Sequence, residues 1–251
     1  MRAPPRLRRP CLAVLGDIHW RPRPNHPLHA VLDHVAAQEV DGILLVGDLV
    51  GGPLHGTTRH RLEIVETYLD LVADALARVE ALGRPVLWVP GNHDLPDLGR
   101  KGRIFGGNVD GEVAELAGLR VAGLGGAGPE RFGFCYEWSE ADVRARRIPA
   151  CDVLLCHAPP RETPLDRTSG GEHVGSQAVR ELAERHVGAL VCGHIHESAG
   201  ALMLGRCLAM NPGGLGSPYG GARVGYLGGV DEALLVDLDA DTWRHLSREQ
   251  A

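Results

Sequence analysis

Five short apolar runs of this chain each end on side chains that can bind a metal or move a proton. Asp17 and His19 follow CLAVLG, Asp48 follows GILLVG, and Asn92-His93-Asp94 follow PVLWVPG. His157 follows DVLLC, and His194 and His196 follow ALVCG. A single Asp or His after a strand is ordinarily a turn or capping residue. Five in succession are harder to assign to turns, because the carboxyl ends of strands in an open α/β sheet open onto one crevice. So many lone pairs in one cleft are too costly to desolvate without cations to receive them. Carboxylates, an amide oxygen and several imidazoles form a donor set suited to divalent transition metals. A carboxylate shared between two such ions would hold them about 3.5–4 Å apart, the arrangement used in two-metal hydrolysis.

For these groups to meet, the runs that carry them must be strands. CLAVLG (11–16), GILLVG (42–47), PVLWV (85–89), LRVAGLG (119–125), DVLLC (152–156) and ALVC (189–192) are short and continuously apolar, as buried strands are. Helical patterns lie between them. HPLHAVLDHVAAQ covers 26–38, and Leu62, Val65, Leu69, Val72, Leu76 and Val79 step by three and four along one face of a long helix bounded by Gly83 and Pro85. SEADVRARR (139–147) begins with Ser139 and Asp142 at capping-box spacing, and SQAVRELAERH (176–186) has Ser176 as its cap. ALMLGRCLAM, EALLVDL and TWRHL alternate and read as antiparallel strands. The glycine-rich NPGGLGSPYGGARVGYLGG among them reads as turn, although Asn211-Pro212-Gly213 could return to the rim. Strand–helix alternation predicts one α/β domain over 11–251, its sheet faces covered by helices, behind a flexible segment 1–10.

Composition narrows the function classes. The chain has 251 residues, 44% hydrophobic and 23% charged, which suffices for a packed core. A formal net charge of −6 lacks the broad positive field of a non-specific nucleic-acid binder. The six cysteines form no CxxC pair and lie mostly in apolar runs, as buried reduced thiols do. MRAPPRLRRP has no apolar segment of the signal-peptide kind, and no run is long enough to span a membrane. The expected location is the cytoplasm.

In order, GDIH (16–19), GDLV (47–50), GNHD (91–94), CHAPP (156–160) and GHIH (193–196) resemble the calcineurin-like metallophosphoesterase superfamily, in a small prokaryotic branch. The resemblance implies a β-sandwich of two mixed sheets flanked by helices, with the site at the strand ends. It implies two divalent cations (Mn, Fe, Zn, Co or Ni, with Mn favoured). One would be held by Asp17, His19, Asp48 and His196, the other by Asp48, Asn92, His157 and His194. His93 matches the family's catalytic histidine, with Asp94 hydrogen-bonded to it and orienting it. The implied reaction is hydrolysis of a phosphomonoester or phosphodiester by a metal-bridging hydroxide, with His93 stabilising the transition state or protonating the leaving group.

Loops must supply specificity for a small phosphoester substrate. Trp20, Arg21 and Arg23 directly follow the first ligands, and Arg161, Arg167 and His173 follow His157, so together with Asn92 they are candidates to touch the substrate. His26, His29, His34, His55, His60, His186 and His245 read as surface or structural. Two other functions fit the same motifs: a nuclease of the superfamily, opposed by the acidic balance, and a non-catalytic scaffold, opposed by the complete ligand set.

Overall fold

A computed structural model gives residues 4–51, 58–96, 98, 106–128, 133–216 and 220–250, with the backbone alone for 58–66 and His186. In chain order the elements begin with β1 (Cys11–Leu15), α1 (Pro27–Ala36), β2 (Gly42–Leu45), α2 (Thr58–Glu80) and β3 (Val86–Trp88). Then come β4 (Val113–Leu116), β5 (Leu119–Leu124), α3 (Glu140–Ala145), β6 (Val153–Cys156), α4 (Gln177–His186) and β7 (Ala189–Val191). The chain closes with β8 (Gly200–Leu204), β9 (Cys207–Asn211), β10 (Arg223–Gly228), β11 (Glu232–Asp237) and β12 (Thr242–Ser247).

The strands form two six-stranded mixed sheets, ordered β12-β11-β10-β1-β2-β3 and β4-β5-β6-β7-β9-β8. In the first, β1, β2 and β3 are parallel, while β10 runs antiparallel to β1 and to β11. In the second, β5, β6, β7 and β9 are parallel, and β4 and β8 are antiparallel edges. The strand periodicity explains why the runs look uniformly apolar. Successive side chains point to opposite faces, and both faces are buried. Leu12, Val14, Leu44, Val46, Val153, Leu155, Val191 and Met210 fill the space between the sheets. Their neighbours Ala13, Leu15, Ile43 and Leu45 pack outward under α1 and α2 with Val31, Val35, Val72, Leu76 and Val79. Leu154, Cys156, Leu190, Cys192 and Ala209 pack outward under α3 and α4 with Val143, Val179 and Ala183. The result is a sandwich of two sheets between two pairs of helices.

Ser139 caps α3 in a reciprocal capping box with Asp142, and Ser176 caps α4 by accepting from Val179 N, both as expected. On α2 the stripe holds for Val72, Leu76 and Val79, which are buried; the side chains of Leu62 and Val65 lie outside the described residues. Cys11, Cys151, Cys156, Cys192 and Cys207 are buried thiols, none in a disulfide. Burial pushes Cys11 up to about 11 and Cys156 up to about 12.

One expectation needs correction. The glycine-rich segment is not all turn, because Arg223–Gly228 forms β10 at the centre of the first sheet. Its glycines hid it. A Cβ at Gly225 would lie 3.0 Å from Met210 Sδ, a tight contact across the facing sheets. Val113–Leu116, given no element from the sequence, is the short edge strand β4. From Leu7 onward the N-terminal segment is in contact with the rest of the chain. Leu7 packs on the core, Arg8 pairs with Glu249 at 2.6 Å, and Arg9 pairs with Asp41 at 2.8 Å and Glu39 at 3.0 Å.

Candidate metal centre

The polar residues sit on the loops that leave β1, β2, β3, β6 and β7, at the carboxyl ends of parallel strands in both sheets. The two sets of strand ends meet along one rim of the sandwich. Three of the residues, His19 (φ 43°), Asp48 (φ 47°) and His194 (φ 70°), take left-handed backbone conformations. These are unfavourable for residues with a Cβ, and such strain persists where the surroundings over-determine it, commonly at functional sites.

Asp17, His19, Asp48 and His196 form the first group, each offering an atom within 4.8 Å of every other. His19 Nε2 faces His196 Nε2 at 3.1 Å, although 177 residues separate them. Asp17 Oδ1 is 3.6 Å from His196 Nε2, and its carboxylate also accepts from His194 N at 2.9 Å. Asp48 Oδ2 lies at the middle, 3.6 Å from His19 Nε2 and 3.7 Å from His157 Nε2. The second group gathers on Asn92, whose Oδ1 is 2.9 Å from both His157 Nε2 and His194 Nδ1. Asp48 therefore borders both groups, and all seven residues expected to be ligands come together.

The protonation chemistry of this cluster tests whether cations fit it. His157 Nδ1 is 2.7 Å from the carbonyl oxygen of Val46, which can only accept, so that nitrogen carries the proton and Nε2 presents its lone pair. A second proton is opposed, since burial lowers the pKa of His157. Nε2 and Asn92 Oδ1 are then two acceptors in contact, an arrangement that a cation between them resolves. Burial likewise pushes His19 and His194 down to about 3, leaving neutral imidazoles. Burial pushes Asp48 up to about 8, with Asp94 and Asp17 adding to the rise. Asp17 departs the other way: burial would raise it, but its charge and hydrogen-bond interaction with His196 outweighs burial. A fully buried carboxylate forced toward its protonated form beside imidazoles forced neutral is a site built for external positive charge.

His93 stands at the mouth. Its side chain is 23% exposed, with Nε2 4.0 Å from Asp48 Oδ2 and its backbone N–H donating to Asp48 Oδ1 at 2.9 Å. The Asp94–His93 hydrogen bond expected from the resemblance is absent, and His93 Nδ1 has no hydrogen-bond partner. The Asp94 carboxylate is occupied elsewhere. Oδ2 accepts from Gly91 N at 2.8 Å and Leu49 N at 3.2 Å, and Oδ1 accepts from Tyr68 Oη at 2.7 Å. Asp94 thus fastens the loops after β2 and β3 to α2. What touches the His93 ring is Phe134, 4.3 Å between centroids, on a segment whose Tyr136 N donates to Asn92 O at 3.1 Å.

Of the peripheral candidates, Trp20 does not reach the rim. It is fully buried, its Nε1 donates to Asp74 Oδ2 at 2.7 Å, and the Arg78 guanidinium lies 4.5 Å from its ring. Arg21 donates to Gly51 O at 3.3 Å, and Arg23 is exposed. Arg161, Arg167 and His173 are exposed on the loop after β6, where His173 Nδ1 is 2.7 Å from the buried Asp166. Of the histidines set aside, His26 caps α1 by accepting from Leu28 N, His55 lies outside the described residues, and so do the side chains of His60 and His186.

Sequence reasoning missed the residues that brace the candidate ligands. Asn211 Nδ2 donates to Ile195 O at 3.0 Å and Gly193 O at 3.4 Å, holding the GHIH turn. Beyond it, Leu215 N and Gly216 N donate to Asp17 O at 3.0 and 3.1 Å. The segment read as plain turn therefore lies against His19 and His196. Only the Asn-Pro-Gly signal hinted at this.

A helix-flanked sandwich of two sheets, with adjoining carboxylate, amide and imidazole groups at its strand ends, defines a metal-binding α/β protein. The chain belongs to the calcineurin-like phosphoesterase family, whose sequence profile matches residues 12–198. An uncharacterised protein of Methanocaldococcus jannaschii is 30% identical over 137 residues, which are 51% of this chain and 63% of that protein. The chain therefore spans less than two thirds of that relative. The fold is shared with a dimetal phosphatase from Danio rerio at a TM-score of 0.60 and 14% identity, covering 95% of this chain and 98% of that one. It is shared with a Thermus thermophilus protein at a TM-score of 0.56 and 19% identity, covering 97% and 100%. No helix among the described residues is long and apolar enough to cross a membrane.

Proposed function

We propose that this protein is a dimetal phosphoesterase of the cytoplasm that hydrolyses a small phosphomonoester or phosphodiester. The observation that carries the reading is the close acceptor contact of Asn92 Oδ1 against His157 Nε2 at 2.9 Å, beside the cluster of Asp17, His19, Asp48 and His196. Asp17, His19, Asp48 and His196 would hold one divalent cation, and Asp48, Asn92, His157 and His194 the other. Mn²⁺ is the favoured ion among Mn, Fe, Zn, Co and Ni. Two bound cations supply a water of lowered pKa and neutralise charge developing on the phosphoryl oxygens.

The chain's own residues do the rest. Val46 O fixes the His157 tautomer, so that its lone pair faces the site. His93, partly exposed beside Asp48, is the side chain free to meet the substrate. Its Nε2 would donate to an equatorial phosphoryl oxygen or hand a proton to the leaving alkoxide. Asp94 acts one step removed, by fixing the loop from which Asn92 and His93 project.

The test is to load the protein with Mn²⁺ and compare p-nitrophenyl phosphate, bis-p-nitrophenyl phosphate, cyclic nucleotides and single-stranded DNA, with Asp48→Asn as control. Hydrolysis of a small ester that Asp48→Asn abolishes is the expected result. Processive release of nucleotides from DNA would make the protein a nuclease. Retention of two bound cations with no hydrolysis of any substrate would make it a scaffold.

A further inference from the structure

Between β6 and α4 the chain makes a hairpin-like excursion, residues 161–176, pinned at its base by the Pro160–Ser176 bridge three residues beyond His157. A buried carboxylate organises it. Asp166, fully buried, accepts from Thr163 N (2.9 Å), Gly175 N (2.9 Å), Glu162 N (3.1 Å) and His173 Nδ1 (2.7 Å). Arg167 and His173 are antiparallel bridge partners, which places their Cβ atoms about 4.5–5.5 Å apart. Both side chains are exposed, and His173 has given Nδ1 to Asp166, so Nε2 points outward.

The excursion leans on the turn that carries the ligands His194 and His196. Ser169 N donates to Glu197 Oε1 at 2.9 Å, Ser198 Oγ donates to Arg167 O, and Asn211 Nδ2 reaches Leu165 O (3.3 Å) as well as Ile195 O (3.0 Å). Arg167 is thus anchored two residues along the chain from His196. Asp166 pairs with His173 and Glu197 accepts from Ser169 N, so Arg167 supplies the positive charge of this pair.

We infer that Arg167 and His173 form a second anion-recognition point, and that the physiological substrate carries another anionic group, a phosphate or carboxylate, beyond the ester that is cleaved. This rests on the phosphoesterase reading and deepens it. A planar guanidinium suits a tetrahedral or carboxylate anion, and His173, its Nδ1–H held by Asp166, donates from Nε2 to that anion as the imidazolium. Asp166 is a positioning residue, setting which nitrogen of His173 faces outward.

The experiment compares n-alkyl phosphates with the matched α,ω-alkanediol bisphosphates, from ethane-1,2-diol to hexane-1,6-diol, on Mn²⁺-loaded protein. Wild type is expected to favour the bisphosphate of one chain length in kcat/KM. Arg167→Gln and His173→Gln should each reduce that preference by a factor on the order of ten, the size of one charge-assisted hydrogen bond. In parallel, the His173 ring signals are followed by NMR as each ligand is added, and should move with the bisphosphate and not with the alkyl phosphate. No preference, or a preference that both variants keep, overturns the inference while leaving the hydrolase reading intact. Should no ester be cleaved, the hydrolase reading fails, and the NMR titration still decides whether the anion binds at His173.

Discussion

His93 and Asp94 are adjacent in sequence and differ in what they face. The imidazole of His93 is partly exposed at the mouth, next to Asp48, whereas the Asp94 carboxylate is fully buried and bound to Tyr68, Leu49 and Gly91. Removal of the imidazole should therefore leave the ligand set intact and affect only the chemical step. His93→Ala is expected to retain both cations by metal analysis while kcat falls by about 10²–10⁴, the usual worth of a positioned proton donor. An unchanged kcat would take His93 out of the mechanism, and a loss of metal would make it a scaffold residue for the loop. The motif GNHD puts both residues after β3 at the rim, but does not say which way each points. That depended on Tyr68, which is 26 residues away and has no motif of its own.

At the scale of elements, the candidate ligands are held by loops that are themselves held by other loops. The segment after β9 is the clearest case. Asn211 ties the GHIH turn, and Gly216 comes so close to His19 that a Cβ there would lie 2.2 Å from the His19 Cβ. Contacts of that kind force a shift of the backbone. Gly216→Ala contributes no ligand and removes none, yet it should displace His19 and reduce cation occupancy, read by metal analysis of the purified variant beside wild type. Full occupancy with wild-type turnover would show that the segment is not a brace. Gly91 makes the same demand from the other side, where a Cβ would lie 2.1 Å from Asp48 Oδ1. The strands under these loops were legible because they are buried on both faces, so their apolar runs are unbroken. β10 was not, since Gly225 answers to Met210 on the facing sheet and not to any local pattern.

Across the whole molecule, the rim stores electrostatic cost that cations relieve, and this gives a pH signature. In the metal-free protein Asp48 is pushed up to about 8 from a model-peptide value of 3.8 by burial. A raised pKa means its contribution to stability is fully present below about 3.8 and lost as pH rises through about 8. His19 and His194 act oppositely: pushed down to about 3 from 6.5, they contribute stability that is present above 6.5 and lost as pH falls toward 3. Between 6.5 and 8, then, Asp48 alone among these groups should titrate. The Tm of chelator-treated protein is expected to fall across that window. Asp48→Asn should flatten the fall, and saturating Mn²⁺ should raise the whole curve because the ions bind only the folded state. A flat metal-free profile in wild type would mean that Asp48 is ionised without cations.

The sequence by itself determined the donor set, the strands that carry it and the family, because ligand chemistry is written in residue type and a twice-buried strand is written in a short apolar run. It also set the caps at Ser139 and Ser176, which depend on residues three positions apart. Tertiary structure alone decided the direction of the Asp94 carboxylate, the burial of Trp20, the return of residues 211–216 to the rim and the pairing of Arg167 with His173 beside the GHIH turn. Each of these depends on a contact between segments distant in the chain. Such contacts are settled by which faces pack together, and no local pattern of residues encodes them.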